Sequence, residues 1–231
     1  MIERSRLQVP LPPELREKIR RRHGGWNEVH DRWVRANSST VHDRLRDDPE
    51  EWYLYHDLYS KARENWPEVP AENIARQLES RPDLRIGDFG CGECLLAKAL
   101  PDHDVVGLDH HADNDSVIAC DMAHTPLDDN SLDAAVFSLS LIGRNWTEYL
   151  EEAWRVLKPY GLLFIAEPAH PWGEQGLEGA AVEAGFVVIP PALAKLERAA
   201  TEAGFDVIPA SLEQRGKFVY LRAQKPLEAV T

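Results

Sequence analysis

Five polar side chains stand at similar places in the sequence, each at or just after the end of a short apolar segment that predicts a β-strand. They are Asp88, Asp109, Asp121, Ser138 and Glu167. Carboxylate and hydroxyl oxygens hydrogen-bond the polar groups of small ligands, and parallel sheets bind ligands at the carboxyl ends of their strands. We therefore expect these five side chains to meet at one ligand site.

The first of these acids opens a glycine-rich turn within LRIGDFGCGECLLAKAL, residues 84–100. The apolar start predicts a strand, Gly90 and Gly92 predict a tight turn, and the apolar spacing after Cys94 predicts a helix. Glycine lets the backbone approach a ligand closely. Dinucleotide-binding turns have a third glycine, which is missing here. Asp-x-Gly-x-Gly is instead typical of S-adenosylmethionine (SAM) methyltransferases; a strand–turn–helix without a ligand is the alternative.

Three residues further along predict contacts with an adenosine ligand. Asp109 follows the turn by about 20 residues, where a carboxylate accepts both ribose hydroxyls in related folds. Asp121 is expected to accept the adenine amino group, and Met122 to cover the ring with a polarizable side chain. The competing interpretations are an exposed loop acid for Asp109 and an ordinary core residue for Met122.

Three other patterns suggest different chemistry. Cys91 and Cys94 have CxxC spacing, but no second pair completes a zinc site, so we interpret them as small packing residues. The run from Asp109 to His111 is similar to a phosphoesterase motif, but the aspartates which that metal centre needs upstream are missing. A Gly-x-Ser-x-Gly nucleophile elbow is absent too. We therefore predict neither a metal site nor a hydrolase.

Length and composition favour one large domain, or one domain with an arm, in a chain of 231 residues. No run of about 18 apolar residues predicts a membrane span, and the first residues lack the apolar core of a signal peptide. Three cysteines, an odd number, argue against a disulfide framework. These features favour a cytoplasmic location. The oligomeric state is left open.

Charge is distributed unevenly along the chain, whose net charge is −13. Residues 1–46 hold eleven Lys/Arg and six Asp/Glu, whereas the remainder holds fifteen and thirty-three. We predict a basic helical arm over residues 1–46, which could hold nucleic acid through Arg20, Arg21 and Arg22, and an acidic domain over residues 47–231. The alternative is that these arginines only solvate one helix.

The order of predicted elements indicates the fold class. Helices are expected from Glu14 to His23, Asn27 to Ala36, Val41 to Leu58 and Ala71 to Ser80, the last part forming a helical lead-in over residues 47–80. Strands and helices then alternate, which predicts an α/β fold with a mostly parallel, twisted sheet, helices on both faces and an antiparallel last strand.

Near its end, the chain repeats one helix–strand unit. Residues 177–193 and 196–212 match at twelve of seventeen positions. Only one copy can occupy the place before the last strand, Lys217 to Arg222. Because Phe205 to Pro209 has one polar position and a short connection to that strand, we expect it to pair in the sheet, and the first copy to be displaced to the periphery.

Taken together, these segments resemble the nucleolar ribosomal RNA-processing protein 8 family of eukaryotes, as a prokaryotic-type member, over roughly residues 39–225. The matching runs are Tyr55-His56, Trp66-Pro67, residues 88–94 (DFGCGEC), 119–123 (ACDMA), 126–129 (PLDD), 135–141 (AVFSLSL) and 152–159 (EAWRVLKP). The resemblance implies a SAM-binding Rossmann-like domain and methylation of adenine N1 in ribosomal RNA. The chain departs from the family in two ways. Eukaryotic members have a long basic extension, which only residues 1–46 could replace here, and the repeat lies outside the family pattern. Both departures bear on the nucleic-acid substrate.

Site residues follow from the motifs and the resemblance together. For SAM they are His56, Asp88, Gly90, Gly92, Asp109, Asp121, Met122 and Ser138. Candidates near the methyl group are Ser138, Ser140 and Glu167; candidates for RNA are the three arginines and Trp146, with Trp52, Tyr53 and Trp172 as further aromatics near the pocket. A small-molecule methyltransferase and an inactive SAM-binding assembly factor are the alternative functions.

Overall fold

The computed structural model of the chain describes residues 7–188, 212–215 and 217–227. Its helices are α1 (Pro13–His23), α2 (Trp26–Val34), α3 (Ser38–Asp47), α4 (Glu50–Arg63), α5 (Pro70–Leu78), α6 (Leu95–Ala99), α7 (Trp146–Val156) and α8 (Ala169–Glu183). Its strands are β1 (Arg85–Phe89), β2 (Asp104–Asp109), β3 (Val117–Ala119), β4 (Leu132–Ser138), β5 (Leu157–Pro168), β6 (Val187–Val188), β7 (Leu212–Arg215) and β8 (Phe218–Gln224). No helix in these ranges is long and apolar enough to cross a membrane.

One sheet organises the chain, in the order β3-β2-β1-β4-β5-β8-β6, with β7 paired to β8. Neighbouring strands from β3 to β5 are parallel, whereas β8 is antiparallel to β5, β6 and β7. The predicted mostly parallel sheet with an antiparallel last strand is confirmed.

Helices cover both faces of this sheet, as its continuous apolar strands require. On one face, Phe89 and Phe137 pack with Tyr149 of α7. On the other face, Ile86 and Val136 pack with residues of α5 and α6. Strands β1 and β4 are therefore central and packed on both faces.

The four N-terminal helices form a third hydrophobic cluster. Ile19, Val29 and Leu45 pack there with Trp52 and Leu54 of α4. We predicted residues 1–46 as a separate arm. Its described part, residues 7–46, shares a core with the beginning of the predicted domain. The division at residue 46 stays a prediction about domain organisation.

The predicted helix from Val41 to Leu58 is two helices, and this expectation was wrong. Asp48 has an extended backbone (φ −137°, ψ 95°) between α3 and α4, and Pro49 follows it. A residue before proline is driven out of the helical region, so the chain breaks at this dipeptide.

The first copy of the repeat joins the sheet, contrary to our expectation that it is displaced. Its strand β6 pairs with Ala223 and Gln224 of β8, and Phe186 is buried edge-on against Trp154, with ring centroids 5.1 Å apart. Phe186 is thus covered by the body of the same chain, whereas Val187 remains 43% exposed. The stretch from Phe205 to Pro209, which we expected in the sheet, lies outside the described residues.

Buried acids of α4 neutralise much of the basic surplus that precedes them. Asp57, whose side chain is 0% exposed, accepts hydrogen bonds from Arg16 (3.0 Å), Lys61 (3.0 Å) and the N–H of Leu11 (2.8 Å). Glu50 and Glu51 of the same helix also pair with arginines, Arg22 and Arg32 respectively. These ion pairs fasten α1 and α2 to α4.

Asp57→Asn should lower the free energy of unfolding near pH 7 by about 2–4 kcal/mol, because it weakens four hydrogen bonds to a buried charge. Burial alone would raise the pKa of Asp57, but its hydrogen bonds hold that pKa below the usual 3.8. The stabilisation is therefore present above pH 3.8 and lost as the pH falls through the lowered pKa. Urea unfolding at neutral and acid pH measures both effects.

The control is Glu17→Gln, which removes the exposed pair with Arg21 and should cost less than about 1 kcal/mol. Equal losses in the two variants would contradict the role of Asp57.

Candidate functional site

Two adjoining cavities lie at the carboxyl edge of the sheet. The first, of about 490 Å³, is lined by Trp33, Val41, Tyr55, His56, Gly90, Asp109, His110, Met122, Leu139, Ser140 and Ile142. The second, of about 480 Å³, is lined by Tyr55, His56, Tyr59, Arg63, Ala71, Asp88, Gly90, Cys91, Gly92, Glu93, Leu95, Leu96, Ser138 and Leu139. Tyr55, His56, Gly90 and Leu139 belong to both, so the cavities form one continuous site.

The turn after β1 lies against both cavities through Gly90, and its glycines are required by the backbone. Gly90 and Gly92 have φ angles of +74° and +49°, which residues other than glycine rarely adopt. A Cβ on Gly90 would lie 2.4 Å from the Cβ of Ser140, and one on Gly92 would lie 2.6 Å from Cε1 of His56. The side chains of Ser140 and His56 therefore come close to this turn. The turn also borders the cavities, where a ligand could approach it.

Asp109 is held from two directions at the end of β2. Its Oδ1 accepts the indole N–H of Trp52 (2.8 Å) and, at 3.3 Å, the N–H of His111. Its Oδ2 accepts the N–H of Gly92 (2.9 Å). The carboxylate is thus tied to the glycine turn on one side and to α4 on the other.

Asp121 and Met122 are neighbours in the chain, but only one of the two side chains lines a cavity. Met122 lines the first cavity, whereas Asp121 lines neither; the contact of Met122 with an adenine ring stays a prediction. The Asp121 carboxylate accepts the hydroxyl of Ser38 (2.9 Å) and the N–H of Ala123 (3.0 Å). Residue 38 lies within the predicted basic arm, so this arm reaches the edge of the site.

One face of α4 provides a wall that the sequence only partly predicted. His56 was expected, but Tyr55, Tyr59 and Arg63 also line the second cavity. Tyr55, Tyr59 and Arg63 follow one another at intervals of four residues, which places them on one face of the helix. This interval was the signal in the sequence that could have identified them. Burial lowers the pKa of His56, against the opposing effect of Asp109, so its imidazole is neutral at pH 7.

The three candidates near a transferred methyl group have different environments. Ser138 lines the second cavity and Ser140 the first. The hydroxyl of Ser140 is buried without a hydrogen-bond partner in the described chain. Glu167 lines neither cavity; its Oε1 accepts the N–H groups of Ser140 (2.9 Å) and Leu141 (2.8 Å). Glu167 therefore fixes the loop after β4.

Asp88, at the end of β1, lines the second cavity. Burial raises the pKa of Asp88 to about 8, and the neighbouring Cys94 and Asp109 add to the shift. A cationic ligand group next to this carboxyl would favour its charged form.

The residues that we predicted for RNA lie outside both cavities. Arg21 pairs with Glu17 on the exposed side of α1, and Arg22 pairs with the buried Glu50. Trp146 begins α7 and packs partly buried against the core. Of the other aromatics, Trp52 is 1% exposed and hydrogen-bonded to Asp109, so it does not offer a free face for stacking.

A family described as "Hypothetical methyltransferase" matches residues 14–175. The chain belongs to this family. The match covers most of the described fold, from α1 to α8, and includes every residue that we predicted for the site.

Two curated relatives confirm the resemblance inferred from the motifs. Ribosomal RNA-processing protein 8 of Arabidopsis thaliana is 38% identical over 68% of this chain and 56% of its own length. A protein of Schizosaccharomyces pombe named 25S rRNA (adenine(645)-N(1))-methyltransferase is 31% identical over 68% of this chain and 52% of its own length. The chain thus spans about half the length of these relatives.

A solved structure confirms the methyltransferase fold. It is the 1,6-didemethyltoxoflavin-N1-methyltransferase of Burkholderia thailandensis, with a TM-score of 0.56 and 16% identity over 83% of this chain and 91% of that one. That protein was crystallised with S-adenosylhomocysteine. At this identity the likeness concerns the fold.

Glu167→Gln should flatten the pH dependence of stability. Burial raises the pKa of Glu167 to about 7 from 4.5, although the N–H groups of Leu141 and Ser140 oppose the shift. The wild type therefore loses stability as the pH rises from 4.5 through about 7. The glutamine side chain can still accept hydrogen bonds from both N–H groups, but it does not titrate. Over this pH interval, the free energy of unfolding of Glu167→Gln should therefore fall by roughly 1–3 kcal/mol less than that of the wild type.

Urea unfolding at several pH values measures the difference. Glu151→Gln, at an exposed position of α7, is the control and should follow the wild type. The same pH dependence in wild type and Glu167→Gln would contradict a protonated, buried Glu167.

Proposed function

We propose that the protein is a SAM-dependent methyltransferase that methylates N1 of an adenine in RNA. The observation that carries this proposal is the meeting of Asp88, Asp109, Met122 and Ser138 around two adjoining cavities at the carboxyl edge of the sheet. Membership of a methyltransferase family supports the activity. The S. pombe relative, named as an rRNA adenine-N1 methyltransferase, supports the substrate.

The first cavity suits the adenosine part of SAM. Met122 offers the polarizable surface expected under an adenine ring. Asp109 already accepts three hydrogen bonds from the protein, and a carboxylate has about four acceptor positions. It therefore has room for one ribose hydroxyl, where the sequence had suggested both.

The second cavity suits the amino-acid part of the cofactor. Asp88 can face its ammonium group, and Arg63 can face its carboxylate. Arg63 is held by Glu93 at 3.0 Å, so the arginine is already oriented along the cavity wall. Opposite charges at two points fix a zwitterionic group in one orientation.

SAM supplies a methyl group activated on a sulfonium, and the chain has to align the acceptor and exclude water. Adenine N1 has an in-plane lone pair and is neutral at pH 7, so its methylation needs no strong base. Leu139 and Ile142 provide apolar walls, and the unpartnered Ser140 hydroxyl can bond a polar edge of the base. Because N1 lies on the pairing edge, the base must be unpaired or flipped out.

The rival function is methylation of a small molecule. The net charge of −13 favours it, because an acidic body repels nucleic acid. A SAM-binding assembly factor without activity is a third possibility.

A cytoplasmic location stays a prediction from the cysteine count.

Asp109→Asn should weaken the binding of S-adenosylhomocysteine by about 1.5–3 kcal/mol, because the ribose loses a charged acceptor. Trp52→Phe keeps the carboxylate but removes the indole donor, and should cost less, about 0.5–1.5 kcal/mol. Isothermal calorimetry measures both. The control Asp128→Asn changes an exposed loop acid and should bind like the wild type; binding of NAD in place of SAM would reject the site assignment.

The proposed reaction predicts a change in cellular RNA. In a strain that lacks the protein, mass spectrometry of RNA nucleosides should show less 1-methyladenosine, restored by the wild type but not by Asp109→Asn. The purified protein should also transfer labelled methyl groups from SAM to RNA from that strain. Unchanged 1-methyladenosine, with transfer to a purified metabolite instead, would favour the small-molecule function.

We also propose that helix α1 holds RNA through Arg20, Arg21 and Arg22. Replacing all three by alanine should weaken RNA binding and reduce the salt slope by about 0.7 for each phosphate that the helix no longer neutralises. The reduction should be smaller than that for three phosphates, because Arg22 already pairs with Glu50. Binding titrations over a range of salt measure the slope, with Arg76→Ala on α5 as control; an unchanged slope would leave α1 as a solvated helix.

A further inference from the structure

Cys91 and Cys94 take no part in the function described above, yet the structure places their thiols together. Their sulfur atoms are 4.0 Å apart. The N–H of Cys94 donates to the carbonyl of Cys91 at 2.8 Å, which closes a turn and keeps their Cα atoms within about 7 Å. Disulfides join cysteines whose Cα atoms are about 4.4–6.8 Å apart, so a small backbone adjustment suffices for bonding.

The two thiols differ in acidity. The pairing of the two thiols, together with Asn114 and Lys98, lowers the pKa of Cys94, while the same pairing and burial raise the pKa of Cys91. The thiolate is the reactive form of cysteine. Cys94 is therefore the attacking sulfur and Cys91 the one that resolves the intermediate.

A route for a small oxidant leads through the second cavity to the cysteine pair. Cys91 lines its wall beside Gly90 and Gly92, and the Cys94 sulfur, which lines neither cavity, lies 4.0 Å from the Cys91 sulfur. The third cysteine offers a comparison. Cys120 lines neither cavity, and burial raises the pKa of Cys120 to about 12. It should remain a thiol under the same conditions.

We propose that Cys91 and Cys94 form a modification site, at which a peroxide produces an intramolecular disulfide that weakens binding at the adjoining cavities. The formation of the disulfide stands independently of the proposed function. Its effect on cofactor binding rests on that function.

The chemistry balances with hydrogen peroxide as the oxidant. The Cys94 thiolate attacks one peroxide oxygen; the S–O bond forms, the O–O bond breaks, and hydroxide leaves. The Cys91 thiol then loses its proton and attacks Cys94 Sγ; the S–S bond forms and the S–O bond breaks, releasing a second hydroxide. With the protons of the two thiols this yields two waters, so the thiols lose two electrons and the peroxide gains them.

The bond would disturb the site through Gly92, which lies between the two cysteines. Its N–H donates to Asp109 at 2.9 Å. Closing the sulfurs from 4.0 Å to about 2.05 Å must shift this turn. Loss of that hydrogen bond to a charged group should weaken S-adenosylhomocysteine binding roughly tenfold.

The test treats the 231-residue chain with a small excess of hydrogen peroxide and counts its thiols under denaturing conditions. The wild type and Cys120→Ser should each lose two thiols and about 2 Da in mass, reversibly with dithiothreitol. Cys91→Ser should instead carry a sulfenic acid on Cys94, which dimedone labels, and Cys94→Ser should resist oxidation. A wild type that keeps all its thiols, or that loses as many as Cys94→Ser, would overturn the proposal.

Calorimetry with S-adenosylhomocysteine on reduced and oxidised wild type then tests the coupling. Roughly tenfold weaker binding after oxidation is expected, and equal binding would overturn the proposed link to the cavities. If even the reduced protein fails to bind, the proposed function has failed, while the thiol count still decides whether the disulfide forms.

Discussion

The site depends on the hydrogen bonds that hold the Asp109 carboxylate. Trp52 donates from α4 and Gly92 donates from the turn after β1. Because both donors meet one carboxylate, the helix, the turn and the end of β2 are fixed relative to one another. A buried carboxylate with fewer partners would carry a large desolvation cost, so the three elements must be in place together for the cavities to have their shape.

The same constraint makes the N-terminal helices part of the site. Helix α4 supplies Trp52, Tyr55 and His56, and α3 supplies Ser38, which donates to Asp121. Four of the nine described basic residues before α4 pair with its buried acids, as Arg32 does with Glu51. Part of the positive charge at the beginning of the chain therefore stabilises the packing of the wall and is not available for an RNA backbone.

The sequence predicted the sheet, its glycine turn and eight of the 21 residues that line the cavities. These features are local: strands are continuous apolar runs, and the acids follow them directly, so topology alone brings them to one edge. The bonds from Trp52 to Asp109 and from Ser38 to Asp121 join residues 57 and 83 positions apart. They arise from packing between helices and sheet, which no periodicity along the chain encodes.

The repeat shows the same limit. Its two copies have nearly the same apolar pattern, so pattern alone could not rank them. Burial of Phe186 against Trp154, together with the pairing of β6 with β8, shows that the first copy packs in the sheet. Likewise, the single helix expected from Val41 to Leu58 ignored the local effect of Pro49 on Asp48, which the sequence did contain.

A crystal structure with S-adenosylhomocysteine bound would test the central claim most directly. The account predicts a ribose hydroxyl on Oδ2 of Asp109, with the Trp52 and Gly92 hydrogen bonds retained, adenine against Met122 and the amino-acid part between Asp88 and Arg63. A nucleoside bound elsewhere, or a ribose that displaces Trp52 from Asp109, would contradict it.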